Sequence, residues 1–313
     1  MLQNQIILGS GGSVGNALAK ELTKYSDTIY LYSRNPKTVN DDDILIQGNL
    51  LDKEQTTAAL KGMDIAYLMV GLPYNSKIWE RDFLKIVLNV VDACKFHKVP
   101  LVFFDNVYMY DSEQFFNLVE QTPIKDRGRK GTVRAIIART LLSQIKKNDI
   151  NILIARAADL YGKDTKNSMF NNQVIKRIFE GKKANWLIDA DKKHALTLTS
   201  DAAKAIALLG NSHHAYNQVW HLPTDKAYTA NELVAKIGTL TKETAKLSII
   251  SSAMVKFLGI FIAGLKESQE LLYQFESDYI FNSSKFEKEF FKPTPIDEGL
   301  KELIDTIHNN KQN

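Results

Sequence analysis

Two periods of hydrophobicity alternate along the first half of the chain. Short, mainly apolar runs fall at 5–8, 28–33, 44–47, 65–70, 101–104 and 151–155. Runs of that length, bounded by turn residues, read as strands, and the unbroken run 65–70 as one covered on both faces. Between them apolar residues return every three or four positions. Val14, Ala17, Leu18 and Leu22 line one helical face, and 51–60 forms another helix, stopped by Gly62. The clearest stripe is Trp79, Phe83, Ile86, Val87, Val90, Val91 and Cys94. Lys95, His97 and Lys98 sit near its end, where the helix dipole favours cations, and Pro100 stops it. A further helix is predicted over 132–147. Strand and helix in alternation predict an α/β fold, a doubly wound parallel sheet of the Rossmann type.

Beyond about residue 165 the alternation lapses. Helices are predicted at 169–180, 201–209, 230–240, 252–275 and 295–309, with one late strand at 219–222 closed by Pro223. Thr229 with Glu232, and Thr294-Pro295 with Asp297, carry helix-start chemistry. The expected organisation is a nucleotide-binding domain over 1–164, to which 194–222 returns. A smaller, mostly helical C-terminal substrate lobe is built from 165–193 and 223–313.

The junction of the first strand and helix reads Gly9-Ser10-Gly11-Gly12-Ser13-Val14-Gly15. Gly-x-Gly-x-x-Gly fails at Val14, whereas Gly-x-x-Gly-x-x-Gly fits through Gly9, Gly12 and Gly15. This is the form of a dinucleotide fingerprint. Gly9 permits a sharp turn, Gly12 admits a pyrophosphate close to the backbone, and Gly15 lets the helix approach the sheet. Ser13 and Val14 open a helix whose free N–H groups face the phosphates. At the end of the second strand an NAD site places an acid on the ribose. Here Ser33 and Arg34 occupy that point. A guanidinium pairs with a 2′-phosphate, so NADP is expected ahead of NAD.

Composition narrows the partners. The 313 residues are 44% hydrophobic and 24% charged, as in ordinary globular proteins. A net charge of +4 without a long basic run argues against nucleic acid. A single cysteine, Cys94, leaves no internal disulfide and suits a reducing cytoplasm, as does the lack of a basic-then-apolar leader. The run 247–265, broken by Lys256 and serines, is too short and polar to span a membrane and is expected to be a lobe helix over the cleft. No membrane partner and no metal are expected, since His213-His214 lacks further ligands at metal spacing. The cluster Lys125-Asp126-Arg127-Gly128-Arg129-Lys130 can draw an anion.

In order, these segments resemble the extended short-chain dehydrogenase/reductase superfamily, in its NAD(P)-dependent epimerase/dehydratase branch. Gly48-Asn49-Leu50-Leu51-Asp52 is similar to the adenine-flanking segment, with Asn49 where the family has aspartate. Asp64 to Gly71 is similar to the strand that brings Val70 and Gly71 under the nicotinamide ribose. Arg156 to Gly162, His194 to Ala203, Asn282 to Lys285 and Lys292 to Pro295 match later family segments. The resemblance implies a serine or threonine followed by a Tyr-x-x-x-Lys pair that relays a proton. In this chain Asn106 stands at the serine position, Lys130 at the tyrosine and Arg134 at the lysine.

A non-standard relay is therefore expected. Tyr108 is the proton donor, Asn106 orients the substrate oxygen from the same face of an extended segment, and Lys130 lies nearby. Arg134 is expected to hold the ribose, and Tyr110 to be structural. The implied function is an NADP(H)-dependent oxidoreductase acting on a small carbonyl or alcohol, as monomer or homodimer. The alternatives are a non-catalytic NADP(H)-binding sensor, like the nitrogen-metabolite-repression regulators, and a nucleotide-sugar epimerase or dehydratase.

Overall fold

The computed structural model describes residues 4–242 and 244–312, without the side chains of 263 and 310–312. β1 (Gln5–Leu8) is buried throughout and leads through the glycine loop into α1 (Ser13–Leu22). β2 (Ile29–Ser33) and β3 (Ile44–Gln47) follow. Asp52 caps α2 (Lys53–Ala59), its carboxylate accepting the Gln55 N–H at 3.0 Å, and β4 (Ile65–Leu68) is again fully buried. The Trp79 stripe begins one turn early, in α3 (Ser76–Ile78), and passes through a π-turn at Trp79–Phe83 into α4 (Leu84–His97). β5 (Leu101–Asp105), α5 (Gly128–Lys147) and β6 (Ile152–Arg156) complete this half.

The second half contains more strand than its periodicity announces. Its elements are β7 (Asp159–Tyr161), α6 (Lys176–Phe179), β8 (Ala184–Leu187), β9 (Leu196–Leu198), α7 (Thr199–Gly210) and β10 (Gln218–His221). After these come α8 (Ala230–Thr241), β11 (Leu247–Ile250), α9 (Ser252–Leu258), α10 (Ala263–Ser268), α11 (Ser284–Glu289) and α12 (Ile296–Gln312).

Seven parallel strands form the main sheet in the order β10-β6-β5-β4-β1-β2-β3. The chain winds outward from β1 to β3, then restarts at β4 on the other side of β1. The doubly wound expectation holds, and the point where winding reverses lies between β1 and β4. Because all strands are parallel, their C-terminal ends share one edge. Cys94 is packed inside the sheet–helix core, where burial pushes its thiol well above its ordinary range and leaves it inert.

By contact density the chain forms two units. One comprises Met1–Met109, Ile124–Arg156 and Ala202–Leu222; the other comprises Tyr110–Pro123, Ala157–Asp201 and Pro223–Asn313. Segments 110–123, 157–164 and 194–201, which the sequence pattern assigns to the nucleotide domain, thus fall in the second unit. The reason is pairing. β7 hydrogen-bonds to β9 rather than to the main sheet, and the Leu118 N–H donates to the Ile280 carbonyl. A second small sheet joins β8 to β11.

The predicted helix over 252–275 is instead α9, α10 and a 3₁₀ stretch at Gln269–Phe275. The break falls after Gly259, the C-cap of α9, and Ile262 is extended, with φ −117° and ψ 105°, before α10 begins. The helix expected at 169–180 is a π-turn at Asn171–Ile175 followed by α6. The Thr229–Glu232 capping box on α8 is formed in full. Thr294 instead ties to Asp201, through its backbone N–H at 2.7 Å and its hydroxyl at 2.9 Å.

Candidate functional site

The glycine loop owes its shape to one crowded point. Gly9 has φ +85°, and a Cβ there would lie 2.6 Å from the Val70 Cα. Only glycine lets the end of β1 pass that close to the end of β4. The N–H groups of Gly9 and Ser10 both donate to the Tyr32 carbonyl, at 2.9 and 3.1 Å, fixing the loop to β2. Gly11 also has positive φ, +103°.

Gly12 is the N-cap of α1, and no side chain caps this helix start, which is the arrangement found where a helix N-terminus meets an anion. A Cβ at Gly12 would meet nothing within 4 Å. Gly15 departs from expectation. A Cβ there would meet Ile7 and Met69 at 3.9 Å, an ordinary contact, so helix packing does not demand glycine. The close approach assigned to Gly15 occurs at Gly9.

Around this loop the C-terminal edge gathers the other expected cofactor residues. Ser13 opens α1 and Val14 is buried under it. Ser33 is half-buried at the end of β2, and its carbonyl accepts the Gly48 N–H at 3.0 Å. Arg34 is exposed, with its carbonyl pinned by the Gln47 amide at 3.0 Å. Asn49 is exposed, its Oδ1 accepting the Leu51 N–H of the same loop at 3.1 Å. Leu50 is buried, and its carbonyl accepts from Asn89 at 2.9 Å. Val70 and Gly71 follow β4 directly. A nicotinamide dinucleotide fits these residues, because the loop has both the narrow glycine crossing and the uncapped helix start that a pyrophosphate needs.

The other end of the same edge is built differently. Asp105 ends β5 and Arg156 ends β6, paired in register. Arg156 Nε lies 3.3 Å from Asp105 Oδ2, and Arg134 Nη1 lies 3.1 Å from Asp105 Oδ1. All three side chains are buried. Trp79 and Phe83 carry their ring centroids 5.0 and 4.2 Å from the Arg134 guanidinium carbon. Burial pulls the Arg134 pKa below its ordinary value, with the Asp105 charge opposing that shift. Arg134 therefore does not stand free to hold a ribose as expected. Its guanidinium is committed to Asp105 beneath two aromatic rings.

The proposed alternation at the end of β5 also fails. The strand stops at Asp105, and the Asn106 Oδ1 accepts the Tyr108 N–H at 3.1 Å. This is an Asx turn, not extended chain, so the argument that both side chains share a strand face does not apply. The Tyr108 ring instead stacks on Trp79, with centroids 6.3 Å apart and planes 15° apart. Lys130, in the first turn of α5, is fully buried with its Nζ 4.5 Å from the Tyr74 ring centroid. The turn and helix are held close at Gly131, where a Cβ would lie 3.0 Å from the Tyr108 carbonyl oxygen. Asn106, Tyr108, Lys130 and Arg134 are thus brought to one neighbourhood, though by packing the sequence pattern does not express.

The basic cluster before α5 is largely spent. Arg129 pairs with Glu80, Arg139 reaches Asp126 at 2.6 Å, and Lys130 is buried. Tyr110 is fully buried, as a structural residue would be. His194 is buried in the second unit, stacked on Phe275 and 2.9 Å from Asp159. Among the described residues no group of three or more His, Cys, Asp and Glu can hold a metal.

Asp105, Arg156, Trp79 and Gly131 were not marked as site residues by the sequence pattern. A signal for the first pair was present. Two buried strands, Leu-Val-Phe-Phe-Asp and Ile-Leu-Ile-Ala-Arg, each end in a charge of opposite sign. Adjacent parallel strands place such ends together.

A glycine-loop nucleotide edge on a sheet of this order defines a class of proteins, and comparison with known families agrees. The profile of the NAD dependent epimerase/dehydratase family matches residues 5–220, and the chain belongs to that family. No curated protein sequence matches it. Solved structures resemble it over nearly its whole length at low identity. UDP-N-acetylglucosamine 4-epimerase from Bacillus cereus is 15% identical, with a TM-score of 0.78 over 98% of this chain and 96% of its own. dTDP-glucose 4,6-dehydratase from Bacillus anthracis str. Ames, in complex with NAD, is 14% identical, with a TM-score of 0.79 over 99% and 98%. UDP-glucose 4-epimerase from Thermus thermophilus, also with NAD, is 15% identical, with a TM-score of 0.77 over 98% and 99%.

Proposed function

We propose that the chain is a nicotinamide-dinucleotide-dependent enzyme of the epimerase/dehydratase type acting on a nucleotide sugar. The observation that carries the cofactor is the Gly9–Val70 crossing beside the uncapped start of α1. The substrate class is taken from the neighbours, whose names are those of nucleotide-sugar epimerases and dehydratases. That support favours a nucleotide sugar over the free small carbonyl expected from sequence. When bound, the nicotinamide supplies the hydride acceptor and donor. The chain's own residues must bind the diphosphate, orient the sugar and move the hydroxyl proton.

For the proton we assign Tyr108. Its ring stacks on Trp79, the ring that also lies 5.0 Å from the Arg134 guanidinium carbon, so the phenol belongs to the same neighbourhood as that cation. Lys130 is the second candidate. Asn106 acts as a positioning residue, holding the Tyr108 turn through its Oδ1.

NADP remains our proposed form of the cofactor, although two of the neighbours described carry NAD. Ser33 and Arg34 stand where an acid would hold an unphosphorylated ribose. The test is a titration with NADPH and NADH, followed by incubation with UDP- and dTDP-hexoses and product analysis by NMR. Conversion of any nucleotide sugar supports the reading; saturable cofactor binding with no conversion across the panel rejects the substrate class.

One observation favours a second reading. The family's ribose-holding lysine is replaced by an arginine committed to Asp105. A fold that keeps the nucleotide edge and converts the relay into a buried ion cluster suits a non-catalytic sensor of the nicotinamide pool. A bound nucleotide that is never turned over, with or without sugar, is the result that selects it.

A further inference from the structure

The predicted cleft helix at 247–265 is, in the second unit, an exposed apolar tip. Met254, Phe257, Ile260, Phe261 and Ile262 are 50, 62, 74, 75 and 49% exposed. The rings of Phe257 and Phe261 touch edge to face at 5.8 Å, so they form one patch. The tip is anchored from below. Val255 is buried, Ser251 caps α9 through the Met254 N–H at 3.3 Å, and the Gln269 amide donates to the Val255 carbonyl at 3.5 Å.

We propose that this tip docks on an anionic lipid bilayer, inserting its apolar side chains between headgroups without spanning. No described helix is long and apolar enough to cross a membrane. The proposal reverses the expectation that no membrane is a partner, and it does not depend on the catalytic reading.

Two features select this occupant. The first is charge. Between Glu243 and Glu267 the chain has Lys246, Lys256 and Lys266 and no acidic residue. All three lysines are exposed, and Lys256 lies within the tip itself. Their apolar stems can lie along a bilayer surface while the ammonium groups reach lipid phosphates.

The second is backbone chemistry. The N–H groups of Gly259, Ile260, Phe261 and Ile262 donate to Val255, Phe257, Leu258 and Leu258 carbonyls, at 2.9, 3.2, 3.0 and 2.9 Å. A segment whose amides are satisfied internally can leave water without the cost of bare backbone.

The test uses the full chain in vesicle flotation. Vesicles of phosphatidylcholine mixed with phosphatidylglycerol should retain the protein, and vesicles of phosphatidylcholine alone should not. Raised salt should weaken retention by screening. Phe257→Ser with Phe261→Ser should lower retention at least about tenfold. Lys256→Glu with Lys266→Glu should lower it by about fivefold or more per lysine. Both pairs are exposed, so unaltered thermal unfolding and cofactor titration verify that the fold is intact. The proposal is overturned if the protein ignores anionic vesicles, binds neutral ones equally, or binds unchanged in both variants. It is also overturned if light scattering shows a dimer that the serine pair dissociates, since the patch would then belong to a second copy.

Discussion

The two ends of one sheet edge obey different rules. At the β1–β2–β4 end, backbone geometry forms the site: Gly9 crosses Val70, and α1 presents uncapped amides. Backbone sites tolerate sequence change as long as the glycines and helix start persist. At the β5–β6 end the site is made of side chains, and here the chain departs from its family. Asp105 holds two guanidiniums, Trp79 and Phe83 cover one of them, and Lys130 is buried in the adjoining helical turn. A nucleotide-binding edge can therefore be retained while the proton-transfer edge is rebuilt.

The most severe way to break this contrast is Asp105→Ala. It leaves two buried guanidiniums without their shared carboxylate, an outcome that typically costs about 3–5 kcal/mol. Urea unfolding should show that loss, and a loss under about 1 kcal/mol would mean the arginines are relieved by solvent. Next is Tyr108→Phe, which should lower turnover of a nucleotide sugar by about a hundredfold or more with cofactor affinity intact. Single-turnover kinetics would show it, and an unchanged rate passes the proton to Lys130.

At the other end, Gly9→Ala forces a Cβ onto Val70 in a left-handed backbone and should cost about 1–3 kcal/mol together with nucleotide binding. Gly15→Ala should stay within about 1 kcal/mol, because its Cβ meets only ordinary contacts. Differential scanning calorimetry and cofactor titration on the pair would sharpen the contrast, and equal effects would erase it. The smallest effect is expected at Arg34→Ala, which should weaken NADPH about tenfold and leave NADH alone. An equal shift for both coenzymes would detach Arg34 from the 2′-phosphate.

The same contrast explains what could be read from the chain. The sheet was legible because each strand is a bounded apolar run, and the nucleotide end because the glycine turn and the helix start fall on consecutive residues, Gly9 to Ser13. The short strands β7, β8, β9 and β11 were hidden, since three or four residues carry too little periodicity, and β11 lies inside an apolar run that mimics a helix. The relay end was only half legible. The absence of any Tyr-x-x-x-Lys pair could be seen in the residues themselves. The partner of Arg134 could not, because Asp105 and Arg156 meet through strand register and Trp79 reaches them across a π-turn.

The cluster around Asp105 also bears on any attempt to graft the family's chemistry back. Exchanging residues 130 and 134 for tyrosine and lysine would deliver the new ammonium to a carboxylate that already holds Arg156. The introduced lysine would then be captured by Asp105. A working revertant would have to rewrite the ends of β5 and β6 as well, so the distance back to the family's relay is four coordinated changes rather than two.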